Sequence, residues 1–263
     1  MGSPRYDGAV VDLDGTVYLG DRLIPGADGG VAALRDSGVS VLFVTNKAIE
    51  RRAAYRDKLR RLGVQARTED VMTSSAMTAS YLAEHHPEAP IFVVGEAPLR
   101  RELTERNLRL TDDPDEAAVL LASMDRQFDY ERLTDALHAM DDDTVFLATN
   151  PDRTCPTENG EIPDCGAVVG AIEGATGQEL HGVIGKPSQT AIDAASSALD
   201  VAPERCLVIG DRLETDIRMG NRAGMTTVLV LSGVTDRETV ERSSIRPDHV
   251  VDSLADVAEV LSA

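Results

Sequence analysis

A chain of 263 residues with 45 acidic and 26 basic side chains, net charge −19, has no basic stripe on which a nucleic-acid backbone could sit. With 42% hydrophobic residues it can bury a good core, as one large domain or two modest ones, and no apolar run nears the roughly 18 residues of a membrane span. Three cysteines, Cys155, Cys165 and Cys206, make no even disulfide framework.

In chain order, VVDLDGTVYLG (10–20) comes first, a run of strand formers that delivers two aspartates and a glycine. A helix is expected over 27–37, stopped by Gly38, and VLFVT (41–45) reads as a buried strand. A second helix is expected from Glu50 to Leu62, closed by Gly63, with Arg51, Arg52, Arg56, Arg60 and Arg61 on a solvated face. Thr73–Ser74 gives an N-cap signal ahead of AMTASYLAEHH, where His85 and His86 suit a helix C-terminus better than a metal. Further strands are expected at IFVVG (91–95), AVLLAS (118–123), TVFLAT (144–149), CLVIG (206–210) and TVLVL (227–231). Short β-rich runs alternating with helices indicate an α/β fold with a largely parallel sheet. The acidic clusters at 112–116 and 141–143 read as solvated loops. No linker separates two domains, so a second domain would be an insertion.

Functional groups in a parallel sheet collect at C-terminal strand ends, near a switch in strand order. Asp12 and Asp14 end the first strand two residues apart, which points them to one side if the strand continues that far. Thr45 and Asn46 end the next strand. Gly185-Lys186-Pro187 then places a lone lysine ahead of the N-cap Ser188, and Asp211 follows a strand, with Asp216 five residues on. Asp12, Asp14 and Asp211 offer hard oxygen ligands of the kind Mg²⁺ takes while sharing a substrate phosphate, and no Cys/His cluster competes with that choice. A carboxylate so placed can serve as nucleophile, and a neighbouring carboxyl can protonate the leaving oxygen and later activate water. The hydroxyl of Thr45 and the ammonium of Lys186 would stabilise phosphoryl oxygens. Each group also has a structural reading, as turn cap, surface lysine or helix N-cap pair.

Asp12-Leu13-Asp14-Gly15-Thr16, the strand-end Thr45, Gly185-Lys186-Pro187 and Gly210-Asp211 with Thr215-Asp216 resemble, in order and context, the four motifs of haloacid dehalogenase (HAD) superfamily phosphatases. The stretches DLDGTVYLGDRLIPGA, FVTNK, ATNPDRTCPTENGEIPDCGAVVGAIEGATG and VIGKPS resemble the NagD-like, p-nitrophenylphosphatase-like branch (class IIA), over about residues 6 to 262. The resemblance implies a Rossmann-like parallel-sheet core, residues 1–80 and 181–263, with an inserted α/β cap domain, residues 81–180. It implies a Mg²⁺-dependent phosphatase that hydrolyses a small phosphomonoester through an aspartyl-phosphate intermediate. Asp12 would be nucleophile and metal ligand, and Asp14 general acid/base and a ligand through its backbone carbonyl. Gly15, Thr45 and Asn46 would bind the phosphate, Lys186 would orient nucleophile and phosphate, Asp211 would ligate Mg²⁺, and Asp216 would support that shell.

Two residues depart from the family pattern. Lys47 follows Thr-Asn where relatives often carry a small residue or Asn, and it either reaches substrate or faces solvent. Cys155 stands in the cap loop where relatives carry an aromatic or histidine, which bears on the substrate; Cys165 reads as a small buried side chain. A cap-mediated homodimer is a further implication. Other activities on the same residues are a phosphometabolite-binding sensor without turnover and a phosphoryl-transferring mutase; a dehalogenase needs no metal, against Asp14 and Asp211. The start MGSPRYDGAVVDLDG lacks a basic-then-apolar leader, so a cytoplasmic setting is expected. Only three basic residues are lysines (Lys47, Lys58, Lys186); such an acidic, lysine-poor surface suits concentrated salt, or simply an arginine-rich proteome.

Overall fold

The computed structural model describes residues 6–157 and 159–262. The strand Gly8–Val11 is buried throughout, as a central parallel strand must be. It pairs in parallel with Cys206–Gly210 on one side and Ser40–Thr45 on the other. Outward from these lie Thr226–Val230 and His249–Val251 on the first side, and Val71–Thr73 on the second, giving six parallel strands. Chain order reverses about Gly8–Val11, so the crevice at its C-terminal end is the switch point where α/β sheets take ligands.

Alternation along the central strand divides the core. Ala9 and Val11 pack with Leu34, Phe43, Tyr55, Leu59 and Val257, under the helices Ala27–Asp36, Arg52–Arg61 and Val257–Ser262. Val10 faces the opposite layer, with Met77, Ile192 and Met219 from Ser74–His85, Gln189–Leu199 and Arg218–Ala223. Each such side chain taken fully from water contributes about 1.5–3 kcal/mol.

A second parallel sheet, ordered Gly182–Val183, Val145–Ala148, Val119–Ala122, Ile91–Val94, Leu110–Thr111, comes from the segment between the Val71–Thr73 and Cys206–Gly210 strands. One face of it, through Ile91, Val93, Val119 and Leu121, joins the same apolar cluster as Val10. Its other face, through Phe92, Leu120 and Phe146, is covered by Tyr130–His138 and Cys165–Thr176. An antiparallel hairpin, Thr154–Thr157 with Gly160–Pro163, projects from this half.

The expected strands all form. The second helix begins at Arg52 rather than Glu50, because Arg51 takes an extended N-cap conformation. Its arginines are not simply a solvated face. Arg52 donates to the carbonyls of Val71 (2.6 Å) and Thr68 (2.9 Å), Arg56 to the Thr68 hydroxyl (2.9 Å), and Arg60 to the Ala66 carbonyl (2.7 Å). Guanidinium forks reach across and satisfy a connecting segment that has few partners of its own.

The helix Ala27–Asp36 lies so close to the C-terminal segment that a Cβ on Gly30 would come 2.1 Å from the Leu254 carbonyl oxygen. Backbone cannot yield there as a flexible side chain could. Gly30→Ala is expected to lower the unfolding free energy by about 1–3 kcal/mol, read from the shift of the urea midpoint.

Candidate active site

The first strand ends in a tight turn. Leu13, fully buried, anchors it, and its carbonyl accepts from the amides of Thr16, Val17 and Tyr18, so the chain folds back with Asp12 and Asp14 on either side. Gly15 takes φ 83°, and a Cβ there would lie 2.4 Å from Asp211 Oδ2, so both backbone conformation and space require glycine. The chain after Cys206–Gly210 brings Asp211 to the same place, where Oδ2 accepts from the Val234 amide at 2.7 Å. A Cβ on Gly233 would fall 2.0 Å from that oxygen.

Lys186 ties the strand ends together. Its Nζ donates to Asp12 Oδ1 (2.5 Å), Asp216 Oδ1 (2.6 Å) and the Val44 carbonyl (3.1 Å), with the side chain 2% exposed. Burial pulls its pKa down, but Asp12 and Asp216 outweigh that and hold it well above the usual lysine value. Asp216 Oδ2 accepts from the Arg212 amide at 3.1 Å, so both of its oxygens have partners. Burial drives the Asp12 carboxyl well above the ordinary range; Lys186 opposes this, while Asp216 and Asp211 add to it. Burial, reinforced by Asp216, pushes Asp211 up to about 7.

Thr45 ends its strand at 2% exposure, and its hydroxyl accepts from the Lys47 amide at 3.2 Å. Asn46 acts as a clamp. Its Oδ1 accepts from the Lys186 amide (2.9 Å), and its Nδ2 donates to the Lys186 carbonyl (3.1 Å) and to Asp152 Oδ2 (2.9 Å). Its own carbonyl accepts from Ser74 Oγ (2.5 Å) and Asn150 Nδ2 (2.9 Å). Lys47, left open between substrate and solvent, turns inward: Nζ lies 2.6 Å from Asp14 Oδ1. Burial lowers its pKa and Asp14 raises it, with the balance well above the usual lysine value.

Most residues singled out by sequence thus meet at one small cavity of about 40 Å³, where Asp12, Asp14, Thr45, Lys186 and Asp216 face Cys155 of the hairpin. Gly15 and Asp211 pack directly behind. Cys165 is fully buried, its thiol directed at the Ala122 carbonyl. His85 stacks on Tyr81 at 4.3 Å and binds its carbonyl, away from any metal cluster. Two members of the site, Arg212 and Asp164, were not singled out by sequence, and Asp152 only as part of the loop expected to carry specificity. Asp152 is clamped by Asn46, Arg212 donates to the Thr154 carbonyl at 2.9 Å, and Asp164 caps the helix Cys165–Thr176. Burial pushes Asp164 up to about 6. Arg212, next to Asp211, was the most accessible of these to sequence reading; Asp152 and Asp164 sat in a loop whose folding sequence does not specify.

Oxygens of Asp12, Asp211 and Asp216 lie within 4.8 Å of one another. Three carboxylates against one ammonium leave uncompensated negative charge in a buried place. Asp14 Oδ2 is buried with no hydrogen-bond partner among the described residues. Hard oxygen donors, an orphan carboxylate oxygen and glycines pressed against Asp211 together fit a small hard divalent cation.

Comparison with known proteins agrees with this geometry. A family model described as haloacid dehalogenase-like hydrolase matches residues 9–109, and a second, HAD-hydrolase-like, matches 183–257. The chain is 35% identical to the sugar-phosphatase AraL of Bacillus subtilis over 96% of its own length and 92% of that protein's. It superposes on p-nitrophenyl phosphatase from Archaeoglobus fulgidus with a TM-score of 0.90 at 34% identity, covering 98% of this chain and 100% of the other. NagD from E. coli K-12 gives 0.85 at 28%, covering 95% and 98%. Relatedness over the whole length places the chain among the haloacid dehalogenase-like hydrolases, and it belongs to their NagD-like, p-nitrophenylphosphatase-like branch of phosphomonoester hydrolases.

Removing the ammonium from between its acids leaves buried like charges unopposed. Lys186→Ala is expected to lower the unfolding free energy by about 3–5 kcal/mol in urea titrations. The carboxyl of Asp211 has its folded pKa raised above the unfolded value near 4, so its contribution is fully present below that pH and is lost as pH rises toward about 7. In EDTA, thermal stability is expected to fall across that window, and Asp211→Asn to flatten the fall.

Proposed function

We propose that the chain is a Mg²⁺-dependent phosphatase that hydrolyses a small phosphomonoester through an aspartyl-phosphate intermediate. The observation that carries this reading is the convergence of Asp12, Asp211, Asp216 and the buried Lys186 at the switch point, with Asp14 beside them. Asp12 and Asp211 would hold the cation, with the Asp14 backbone carbonyl as a further ligand and Asp216 in support. When bound, Mg²⁺ supplies charge neutralisation for the phosphate and brings it against the carboxylates.

Lys186 holds Asp12 by Oδ1, which leaves Oδ2 to attack the phosphorus. Attack there forms the Asp12–phosphorus bond and breaks the ester bond; Asp14 gives its proton to the departing oxygen. Asp14 then takes a proton from the water that attacks phosphorus, which releases inorganic phosphate and restores Asp12. Its Oδ2, buried and free of partners, is the oxygen available for that traffic. Thr45, the Gly15 turn, and Asn46 through its amide face the phosphoryl oxygens, while Lys186 spreads positive charge toward them. The side chain of Asn46 is already committed, so its larger part is to hold Lys186 in place.

Residues 81–180 form the cap in this reading, with the strand Gly182–Val183 completing its sheet. A cavity of about 40 Å³ is too small for an organic phosphomonoester, so the loop from Asn150 to Cys155 must lift for entry and close for chemistry. Cys155, buried beside Lys47, would help select the organic group. A cytoplasmic setting suits three free, buried cysteines.

Hydrolysis of p-nitrophenyl phosphate tests this. Turnover is expected with Mg²⁺, to vanish in EDTA and in Asp12→Asn, and to fall about 10²–10⁴-fold in Asp14→Asn. Folded wild type inactive on a broad phosphomonoester panel would sink the reading in favour of a sensor.

A further inference from the structure

A larger cavity, about 730 Å³, adjoins the catalytic one. Asp152, Thr154, Arg212 and Thr215 line both, and form the wall between them. Arg212 Nη2 donates to the Thr154 carbonyl at 2.9 Å across that wall, so the two spaces are neighbours rather than one continuous cleft.

The larger cavity is basic in a chain of net charge −19. Arg153, Arg212, Arg218 and Arg222 line it, against the acids Asp152 and Glu214. Asp152 is already held by Asn46 Nδ2 at 2.9 Å. Elsewhere arginines are widely engaged, as Arg51 is with Glu105, Arg100 with Asp112 and Arg126 with Glu96. The Arg222 side chain here makes one bond, to the Pro187 carbonyl at 2.8 Å, while the side chains of Arg153 and Arg218 have no hydrogen-bond or ion-pair partner among the described residues. Leaving guanidinium groups unpaired around a concavity, while acids are plentiful, disposes that concavity toward an anion.

A second feature points the same way. Ser188 and Gln189, at the start of the 11-residue helix Gln189–Leu199, also line the cavity. Its positive end opens beside the arginines. The volume matches sites that take a whole small metabolite.

We propose that this cavity binds a phosphorylated small molecule other than the substrate, with Arg153, Arg218 and Arg222 receiving its phosphoryl group. Arg212 couples the site to catalysis. A phosphoryl group in the larger cavity competes for its guanidinium, loosens the bond to Thr154, and so frees the strand that carries Cys155. Occupancy therefore changes turnover without competing with substrate.

The probe is methylenediphosphonate, which carries phosphoryl-type oxygens and resists hydrolysis. Calorimetric titration of the full chain reads binding without turnover, so this outcome is separable from that of the phosphatase reading. Wild type is expected to bind the probe at about 1 mM or tighter, and Arg218→Gln/Arg222→Gln to weaken that binding at least about tenfold. Both side chains are exposed and neither lines the catalytic cavity, so the variant should keep the wild-type Tm and its basal kcat/KM within about twofold. In wild type the probe should depress or raise kcat on p-nitrophenyl phosphate, an effect lost in the variant. An isotherm unchanged by the double substitution, or no binding by wild type, would overturn the proposal. So would a tenfold rise in KM for the variant, since the arginines would then serve the substrate's own phosphate.

Discussion

The ammonium of Lys186 is almost wholly buried, with Asp12, Asp216 and the Val44 carbonyl each accepting one bond from it. A lone ammonium could not sit there, because desolvation would neutralise it. Nor could three carboxylates share the crevice without a positive neighbour. Each side makes the other tolerable, and the bonds run to residues from the central strand, its neighbour and the segment after Cys206–Gly210. Strand order, backbone turns and side-chain direction all have to be right for this one nitrogen to be satisfied.

Around that contact the backbone is arranged to bring carboxylates closer than side chains would ordinarily permit. Gly15 and Gly233 press against Asp211, and a Cβ on Gly210 would lie 2.2 Å from Asp216 Cγ. Burial, reinforced by neighbouring carboxylates, raises Asp12 and Asp211 toward their neutral forms, and a bound divalent cation would oppose that tendency. The acids thus carry an electrostatic cost of the kind found where chemistry is done, and one that a bound cation would offset.

The second sheet reaches this place through polar contacts as well as through the shared apolar cluster. Asn46 receives Asn150 on its carbonyl and gives a bond to Asp152, and Arg212 holds Thr154. These few bonds, unlike a dry hydrophobic interface, can be exchanged for water or for ligand contacts at modest cost. All of them involve the one stretch from Asn150 to Thr154, which closes the small cavity on that side.

Alternation of short buried strands with amphipathic helices was enough to determine a parallel α/β architecture, since the side-chain period reports burial on one or both faces. Aspartates and threonine at strand ends were legible for a related reason. A parallel sheet sends its strand ends to one edge, so residues 12, 45 and 211 had few other places to be, whereas Lys186 follows Gly182–Val183 of the second sheet and was brought there by the packing of the two sheets. Relations across long separations were another matter. That Arg52, Arg56 and Arg60 serve carbonyls at 66–71, that Lys47 pairs with Asp14, and that Asp152 and Arg212 enter the site were decided only by tertiary structure. Long polar side chains leave no periodic signature, because their partners are set by three-dimensional proximity and by which buried groups remain unsatisfied.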